Sequence, residues 1–295
     1  MQLLHSGKLR QLLHATQTAL PDTLNSIHAC VRNAYHGRVE GNFYTDGWPW
    51  FTTVVFQCTF PRLSDIADLN CHSTSKDRLL AVLQEVGLVT FHKQQVIQVS
   101  ESEDMASFNH LMQDLSLGGG EGIRHCSMDE VGHYVLQDKA QLELHTSAAC
   151  PEGYVVGVLR PEHSEFIASQ SHWLNSFGLS TREVVDYIKQ CIQKFENVAI
   201  FTTPDGDSLP VSWVMQYAYS GNTANLYTHP QHRQRGLGRI VQAAISKQIL
   251  EMGYPPDGQV ADGNLSAQTL LVQQLGYRLV GRVRTFYLNF DSKSL

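Results

Sequence analysis

The sequence predicts an α+β protein in which helices flank a mixed central sheet, arranged in two units of similar size. Apolar residues recur with a helical period in some segments and with strand-like alternation, or in short continuous runs, in others. Around LSLGGGEGIRH this periodicity is lost and four glycines appear, which indicates a flexible connection. We therefore place the two units at residues 1–145 and 150–295.

The composition limits the classes of partner. The 295 residues are 42% hydrophobic, enough for a substantial core, and 22 Lys+Arg against 28 Asp+Glu give a net charge of −6. A nucleic-acid-binding domain usually carries a basic face, so we expect no nucleic-acid partner. The six cysteines form no C-x-x-C pair, which favours reduced thiols in an intracellular compartment and gives no sign of a metal site. No run approaches the ~20 apolar residues of a membrane helix, so we expect no membrane segment.

The first residues allow two interpretations. They contain no acidic residue before Asp22 and carry Lys8 and Arg10, which is typical of a mitochondrial presequence. The spacing of Leu9 and Leu12 equally predicts an ordinary amphipathic helix ending near Pro21. We favour the structural helix and expect no secretory signal.

The first unit mixes helix and strand signals. After the first helix we predict a strand near Ser26 to Val31, followed by a turn-rich stretch. The remaining predicted elements are a strand at FTTVVFQCTF, a helix at SKDRLLAVLQEVG and a strand at QQVIQVS.

The second unit has a clearer order of elements. A strand at Tyr154 to Arg160 precedes a helix that starts at Pro161 and a longer helix capped by Ser180. A hairpin around Asp205-Gly206 follows. The remaining predicted elements are the strand ANLYTH, a helix from about Gln234 to Met252, the strand GQVAD, the helix SAQTLLVQQLG and the strand YRLVGRVRTFYLNF.

The segment LYTHPQHRQRGLGR, residues 226–239, joins a predicted strand to a predicted helix. The start of a helix presents unpaired N–H groups at the positive end of its dipole, and such a site binds phosphate. Gly236 and Gly238 lack the Cβ that would keep a phosphate away from the main chain, and the arginines supply charge-assisted hydrogen bonds. The alternative is a surface turn with solvated arginines.

The same segment resembles the acyl-CoA-binding signature of the GNAT superfamily of N-acyltransferases, R/Q-x-x-G-x-G/A, filled by Arg233, Gly236 and Gly238. GNLSAQTLLVQQLGY is similar to the N-x-x-A helix that follows it in that superfamily. Within the superfamily, DGWPWFTTVVF, FGLSTREVVDYIKQCIQKF and PDGDSLPVSWVMQYA, in this order before the loop, resemble the glycine N-acyltransferase-like family.

This resemblance implies a GNAT fold in two tandem units, of which residues 1–145 are degenerate and 150–295 bind acyl-CoA or acetyl-CoA and catalyse transfer. It implies transfer of the acyl group to the amine of a small acceptor such as glycine or another amino acid, in mitochondria or the cytoplasm. We expect a monomer or weak dimer. The residues that the resemblance assigns to acyl-CoA are Leu226, Tyr227, Thr228, Arg233, Gln234, Arg235, Gly236, Leu237, Gly238, Arg239, Asn264 and Ser266.

In such enzymes the acyl-CoA lies where two parallel strands splay apart, here those holding residues 226–228 and 259–261. Main-chain donors near Leu226 and Tyr227 are then expected to polarise the thioester carbonyl, each contributing roughly 3 to 4 kcal/mol to the transition state.

The sequence departs from the family pattern at the position of the general base. The family pattern P-E-x-R places a glutamate as base, and this sequence has Gln231 there, whose amide cannot accept the proton. An imidazole is a fair base near neutral pH, so His229 or His232 are the catalytic candidates that replace it. Strand alternation favours His229. Water or Asp262 are further candidates.

The superfamily's usual general acid, a tyrosine in the helix after the asparagine, is also missing, because Leu271 and Val272 occupy that region. These departures keep a second interpretation open, a protein that binds acyl-CoA with little or no catalysis. Transfer to protein or polyamine acceptors has no clear sequence support. Trp213, Tyr217 and Tyr219 either pack in the core, which we favour, or line an acyl or acceptor pocket.

Overall fold

The computed structural model describes residues 2–18, 25–60, 66–85, 94–100, 123–146, 150–171, 180–202, 209–218 and 221–290. They divide into two compact units, one formed by Met1–Gly132 with Val280–Leu295 and the other by His133–Leu279. In this part of the chain no helix combines the length and the apolar character needed to cross a membrane. Three predicted features lie outside the described residues: most of the glycine-rich connection, the Asp205-Gly206 turn and Tyr219.

In the first unit, helices pack on a mixed sheet. Its helices and strands are α1 Leu9–Thr18, α2 Asn25–Tyr35, α3 Lys76–Glu85, β1 Gln2–Leu4, β2 Glu40–Thr45, β3 Thr53–Phe60, β4 Ile66–Ser73, β5 Gln94–Ser100, the first part of β6 Ile123–Leu136 and the later part of β12 Tyr277–Phe290. The sheet order is β1-β2-β3-β4-β5-β12-β6. Strand β4 is parallel to β5, and the pairs β1-β2, β2-β3, β3-β4 and β5-β12 are antiparallel.

The strand predicted near Ser26 to Val31 is wrong, because these residues lie in α2. Ile27, Cys30 and Val31 are all fully buried, and their spacing of three and four residues matches one face of a helix. A short apolar run allows both interpretations, and packing on β3 and β4 decides for the helix.

The second unit contains the elements that build the candidate site. Its elements are the later part of β6 Ile123–Leu136, α4 Lys139–Thr146, β7 Tyr154–Gly157, α5 Ser164–Gln170, α6 Thr181–Lys194, β8 Asn197–Thr202, β9 Ser212–Gln216, β10 Thr223–Thr228, α7 Leu237–Glu251, β11 Asp257–Ala261 and α8 Leu265–Gln268. The sheet order is β6-β11-β10-β9-β8-β7, with β10 parallel to β11 and antiparallel to β9.

The unit boundary differs from the one drawn at residues 145 to 150. The chain enters the second unit within β6 and leaves it within β12. Helix α4 belongs to the second unit because it packs on α7, and Leu142 is buried in a cluster with Ala243 and Tyr277. The functional roles proposed for residues 1–145 and 150–295 remain predictions.

Helices cover both faces of the second sheet. Leu237, Val241 and Ile245 of α7 pack with Val214 of β9 on one face. Trp213, the neighbouring residue, meets Phe166 of α5 on the other face, with ring centroids 5.8 Å apart. This alternation is what the period of a strand requires.

Strand β10 is irregular in its middle. Its register against β9 shifts between Ala224 and Tyr227, so it contains one extra residue there. Asn225 has a left-handed backbone with φ of 53°, which asparagine tolerates better than most residues. Its amide donates to Ser171 Oγ at 2.9 Å, and this bond holds the bulge against the end of α5.

We predict that the first unit loses stability in mild acid because of His28. Burial, with Arg32 nearby, lowers the pKa of His28 from 6.5 to about 4. Between these values the unfolded chain binds the proton and the folded chain does not, so stability falls as pH drops from 6.5 toward 4. Between pH 7 and pH 5 the loss from this group is about 2 kcal/mol.

Urea unfolding of wild type and His28→Gln at both pH values measures this contribution. The variant should lose about 2 kcal/mol less than wild type on acidification. His36→Gln changes an exposed histidine in the turn that follows α2, and this variant should behave like wild type. Equal losses in wild type and His28→Gln would contradict the assignment.

Candidate anion site at the start of helix α7

The segment between β10 and α7 forms a short path with an unusual backbone. A single 3₁₀ turn, Pro230–His232, follows β10, and α7 begins at Leu237. Gln234 and Gly236 lie between them with left-handed φ angles of 61° and 75°. The predicted helix start at Gln234 is therefore three residues too early, because neither residue has a helical backbone.

The first turn of α7 offers main-chain donors. The first helical hydrogen bond runs from the Ile240 N–H to the Gly236 carbonyl at 3.1 Å, and no side chain caps the helix start. The N–H groups of Leu237, Gly238 and Arg239 precede that bond and have no partner within the helix. They lie at the positive end of the helix dipole, which favours an anion.

Gly238 is not required by the packing of the chain itself. A Cβ built there would lie 3.4 Å from Thr228 Oγ1, an ordinary contact distance. At Gly236, in contrast, the left-handed backbone disfavours any L side chain. A close-approaching ligand would therefore explain Gly238, and backbone geometry explains Gly236.

The arginines surround this helix start in different ways. Arg233 is exposed, and its Nε donates to the Thr228 carbonyl at 3.0 Å, which holds the guanidinium beside the loop. The guanidinium of Arg235 lies 5.9 Å from the ring centroid of Tyr154, within the range of a cation–π contact. Arg239 follows in the first turn of α7. A protein with a net charge of −6 thus has three cations within seven residues.

A cavity of about 190 Å³ opens at this point. Its walls are the loop, the first turn of α7 and one helical segment distant in sequence. The lining residues are Thr228, His232, Arg233, Gln234, Gly236, Leu237, Gly238, Arg239, Leu270 and Gln274.

Two cavity residues have no counterpart in the sequence prediction. Five residues predicted to bind acyl-CoA do not line the cavity, namely Leu226, Tyr227, Arg235, Asn264 and Ser266. Leu270 and Gln274 belong to a π-helical segment, Thr269–Gln274, that continues α8. Asn264 caps α8 by accepting from the Ala267 N–H at 3.1 Å. Asn264 and Ser266 are exposed and lie outside the described lining of the cavity. The four-residue spacing of Leu270 and Gln274 places them on one helix face, but neither side chain has a chemical signature of binding.

Beside the cavity, β10 and β11 separate. They pair in parallel at Thr223, the first residue of β10, which lies opposite Gly258, the second residue of β11. The His229 N–H donates to the Val211 carbonyl and the Ser212 hydroxyl to the Tyr227 carbonyl, so His229 and Tyr227 direct their main-chain groups toward β9.

Because main-chain direction alternates along a strand, Leu226 and Thr228 direct theirs to the side of β11. Of the predicted main-chain donors near Leu226 and Tyr227, Leu226 therefore remains, and Thr228 takes the place of Tyr227.

The two histidines occupy different positions. The Nδ1 of His232 lies 2.9 Å from the Tyr154 hydroxyl, and its ring lines the cavity. Burial, together with His229 and Arg235, lowers the pKa of His232 below its usual value, so the ring is neutral at pH 7. The centroid of His229 is 5.8 Å from that of His232. The Nδ1 of His229 is buried and has no hydrogen-bond partner among the described residues.

Gln231, between the histidines, is exposed in the 3₁₀ turn. Among the described residues no cluster of three or more His, Cys, Asp or Glu side chains is placed to hold a metal ion.

Trp213 of β9 packs in the interior. It is fully buried between Phe166 and Tyr227, at ring-centroid distances of 5.8 Å and 4.6 Å. Tyr217, just after β9, is half-buried, with its ring centroid 6.1 Å from that of Tyr187 of α6. The core interpretation therefore holds for Trp213.

Comparison with known proteins identifies the fold. A model of the FR47-like protein family matches residues 204–286, which include the loop and the cavity. The chain is similar to the structure of a Drosophila protein, with a TM-score of 0.76, 16% identity and coverage of 97% of each chain. It also resembles a GCN5-related N-acetyltransferase-like protein from Streptococcus suis, with a TM-score of 0.52, 15% identity and coverage of 96% of this chain and 99% of that one.

A third structure decides the number of units. A tandem GNAT protein from the clavulanic acid biosynthesis pathway matches with a TM-score of 0.56 and 13% identity over 100% of both chains. The chain has the GNAT fold. The predicted α+β class with two GNAT-like units is thereby confirmed, and the narrower likeness to glycine N-acyltransferases stays a prediction.

We predict that Gly236→Ala destabilises the segment between β10 and α7. A left-handed backbone costs an L-residue about 1–2 kcal/mol, and the new Cβ would also lie 3.3 Å from Arg239 Nη2. Gly263→Ala is the matched control, because no atom lies within 4 Å of its Cβ position and its φ is not left-handed. Urea unfolding should show a loss of about 1–2 kcal/mol for the first variant alone. Equal effects of the two substitutions would contradict the backbone argument.

Proposed function

We propose that this GNAT protein is an acyl-CoA-dependent N-acyltransferase that transfers an acyl group to the amine of a small acceptor. The observation that supports this best is the juxtaposition of an uncapped, arginine-flanked helix start with two parallel strands that separate beside it. The first feature suits a phosphate group and the second an extended chain, and acyl-CoA contains both. We name glycine or another amino acid as the acceptor class from the sequence resemblance.

The residues of the loop fit the diphosphate part of CoA. The N–H groups of Leu237, Gly238 and Arg239 would donate to phosphate oxygens. Gly238 leaves space for close approach, and Arg233 adds a charge-assisted bond while its Nε stays tied to Thr228. Gln234 and the neutral ring of His232 complete the polar wall.

The opening between β10 and β11 fits the pantetheine arm and the thioester. Leu226 and the N–H of Thr228 face the opening, so they would pair with the amides of the arm as a neighbouring strand does. The Thr228 carbonyl stays bonded to Arg233 Nε. The Leu226 N–H, in the bulge of β10, would stabilise negative charge that develops on the thioester oxygen. A fixed main-chain donor of this kind contributes roughly 3 to 4 kcal/mol.

The acceptor must lose a proton before it reacts, because an α-amine is mostly protonated at pH 7. We assign this step to His229, directly or through one water, since His232 is held at the phosphate end by Tyr154. The neutral amine forms a C–N bond to the carbonyl carbon as the C–S bond breaks, and the amine's second proton passes to solvent. The departing thiolate of CoA takes a proton from water, so the absence of a tyrosine acid at Leu271 and Val272 does not prevent turnover.

We predict that Arg233→Ala weakens CoA binding by about tenfold or more, because one charge-assisted hydrogen bond contributes about 1.5–3 kcal/mol. Isothermal titration calorimetry with CoA measures the change. Arg182→Ala removes the same charge from an exposed site on α6 and should leave the affinity unchanged. If Arg233→Ala binds CoA like wild type, the phosphate assignment fails.

The enzyme proposal is tested by CoA release. The full chain is incubated with acetyl-, benzoyl- or phenylacetyl-CoA and a panel of amino acids and small amines between pH 6 and pH 9. Acceptor-dependent release of free thiol, with the N-acyl product seen by mass spectrometry, is expected. Tight CoA binding without release for any acceptor would overturn the enzyme proposal.

The two histidines give opposite kinetic predictions. His229→Gln should lower kcat by about a hundredfold or more, the usual effect of removing a general base, and leave the affinity for CoA unchanged. His232→Gln should raise KM for acyl-CoA several-fold through the lost phosphate contact and leave kcat unchanged. The reverse pattern would move the base to His232, and an unaffected kcat in both would leave water or Asp262 as the proton acceptor.

A second candidate function is acyl-CoA binding with little or no catalysis. It is favoured by one observation, the exposed amide of Gln231 at the position where the resembling family places its carboxylate. This candidate predicts the same loss of CoA affinity in Arg233→Ala. It differs by predicting no thiol release with any acceptor.

A further inference from the structure

A buried polar network lies at the point where β10 and β11 begin to separate. Its side chains come from these two strands, from α7, and from β6 and β12. Each is at most 6% exposed, although all are polar, and they are His133, Thr223, Gln242, Ser246 and Asp257, with Tyr277 at 1%.

Thr223 occupies the vertex of the opening. It is the residue of β10 paired with Gly258 of β11, and its hydroxyl donates to the Asp257 carbonyl of β11 at 2.8 Å. A Cβ on Gly258 would lie only 3.2 Å from that hydroxyl. The two strands are therefore closest here and are joined by a side-chain bond in addition to strand pairing.

Helix α7 is bonded to the same point. The amide of Gln242 donates to Thr223 Oγ1 at 3.1 Å and to the Tyr277 hydroxyl at 3.3 Å. The Ser246 hydroxyl lies 2.7 Å from the same tyrosine oxygen. Gln242 is six residues after Gly236, so the helix that carries the anion site at its start is fixed one and a half turns later to the vertex.

Strand β6 supports the β11 side. His133 Nε2 lies 2.8 Å from Asp257 Oδ2, and both side chains are buried. A buried polar network in which the members bond to each other has a defined geometry, because any displacement leaves a polar atom without a partner.

We propose that Thr223 and Gln242 are positioning residues that set the place of the opening between β10 and β11 relative to the start of α7. This inference rests on the proposed function. If CoA spans the two sites, its diphosphate is held by α7 and its pantetheine arm by the strands. The benefit of holding both ends at once depends on the distance between the sites, which the network fixes.

The expected effect is selective for the pantetheine arm. Adenosine 3′-phosphate 5′-diphosphate, which is CoA without that arm, should bind Thr223→Val as well as it binds wild type. CoA itself should bind Thr223→Val about tenfold more weakly, because the arm no longer matches the opening. Thr223→Ser keeps the hydroxyl and should retain the wild-type difference between the two ligands.

Calorimetric titration of both ligands with each folded variant carries out this test. Ile245→Val is the stability control, since Ile245 is buried on α7 in the other cluster, against β8 and β9. It should lower the melting temperature without changing the ratio of the two affinities. Gln242→Met removes the same bond from the helix side and replaces Thr223→Val if that variant does not fold.

The outcomes separate the two proposals. A CoA to fragment affinity ratio in Thr223→Val and Gln242→Met equal to that of wild type overturns the positioning role. An equal loss of affinity for both ligands also overturns the positioning role, because it would show a general structural effect. If unaltered protein binds neither ligand, the proposed function falls and the positioning role with it.

Discussion

The candidate site depends on one constraint, that β10 cannot pair with β11 along its whole length. The strands are joined at Thr223 and Gly258, and within three residues the bulge at Asn225 re-aims β10. A bulge bends its strand and increases the local twist. Main-chain groups that would otherwise complete a parallel ladder are then left facing an opening. Unsatisfied main-chain groups need partners, and an extended ligand supplies them without any particular side chain.

The second half of the site follows from the first. Because β10 ends beside the opening, the chain must turn directly into α7, and it does so through two left-handed residues, Gln234 and Gly236. The turn leaves the first N–H groups of α7 directed at the cavity rather than at a capping side chain. Arg233 and Arg239 concentrate positive charge there in an acidic protein. A negatively charged ligand is thus attracted locally although the whole chain would repel it at long range.

Sequence reasoning succeeds where the signal is local. The Ser180 cap of α6 is confirmed with its reciprocal bonds to Glu183, and the loop from Arg233 to Gly238 forms one cavity wall because its residues are consecutive. Sequence reasoning fails where packing decides. The segment near Ser26 is predicted as a strand, and only the burial of one helical face, which packs on the sheet, shows that it is α2. Leu270 and Gln274 reach the cavity only through the path of a helix thirty residues later, which no local pattern reveals.

The bulge also joins β10 to the end of α5. Asn225 bonds to Ser171 just after α5, and the Tyr227 hydroxyl donates to Gln170 Oε1 at 2.8 Å, at the last residue of that helix. The residue between them, Leu226, carries the main chain that faces the opening. Two side-chain hydrogen bonds, one on each side of Leu226, thus fix this part of β10 to the end of α5. A displacement of the end of α5 would therefore carry the Leu226 main chain with it, and so move the donor that faces the opening.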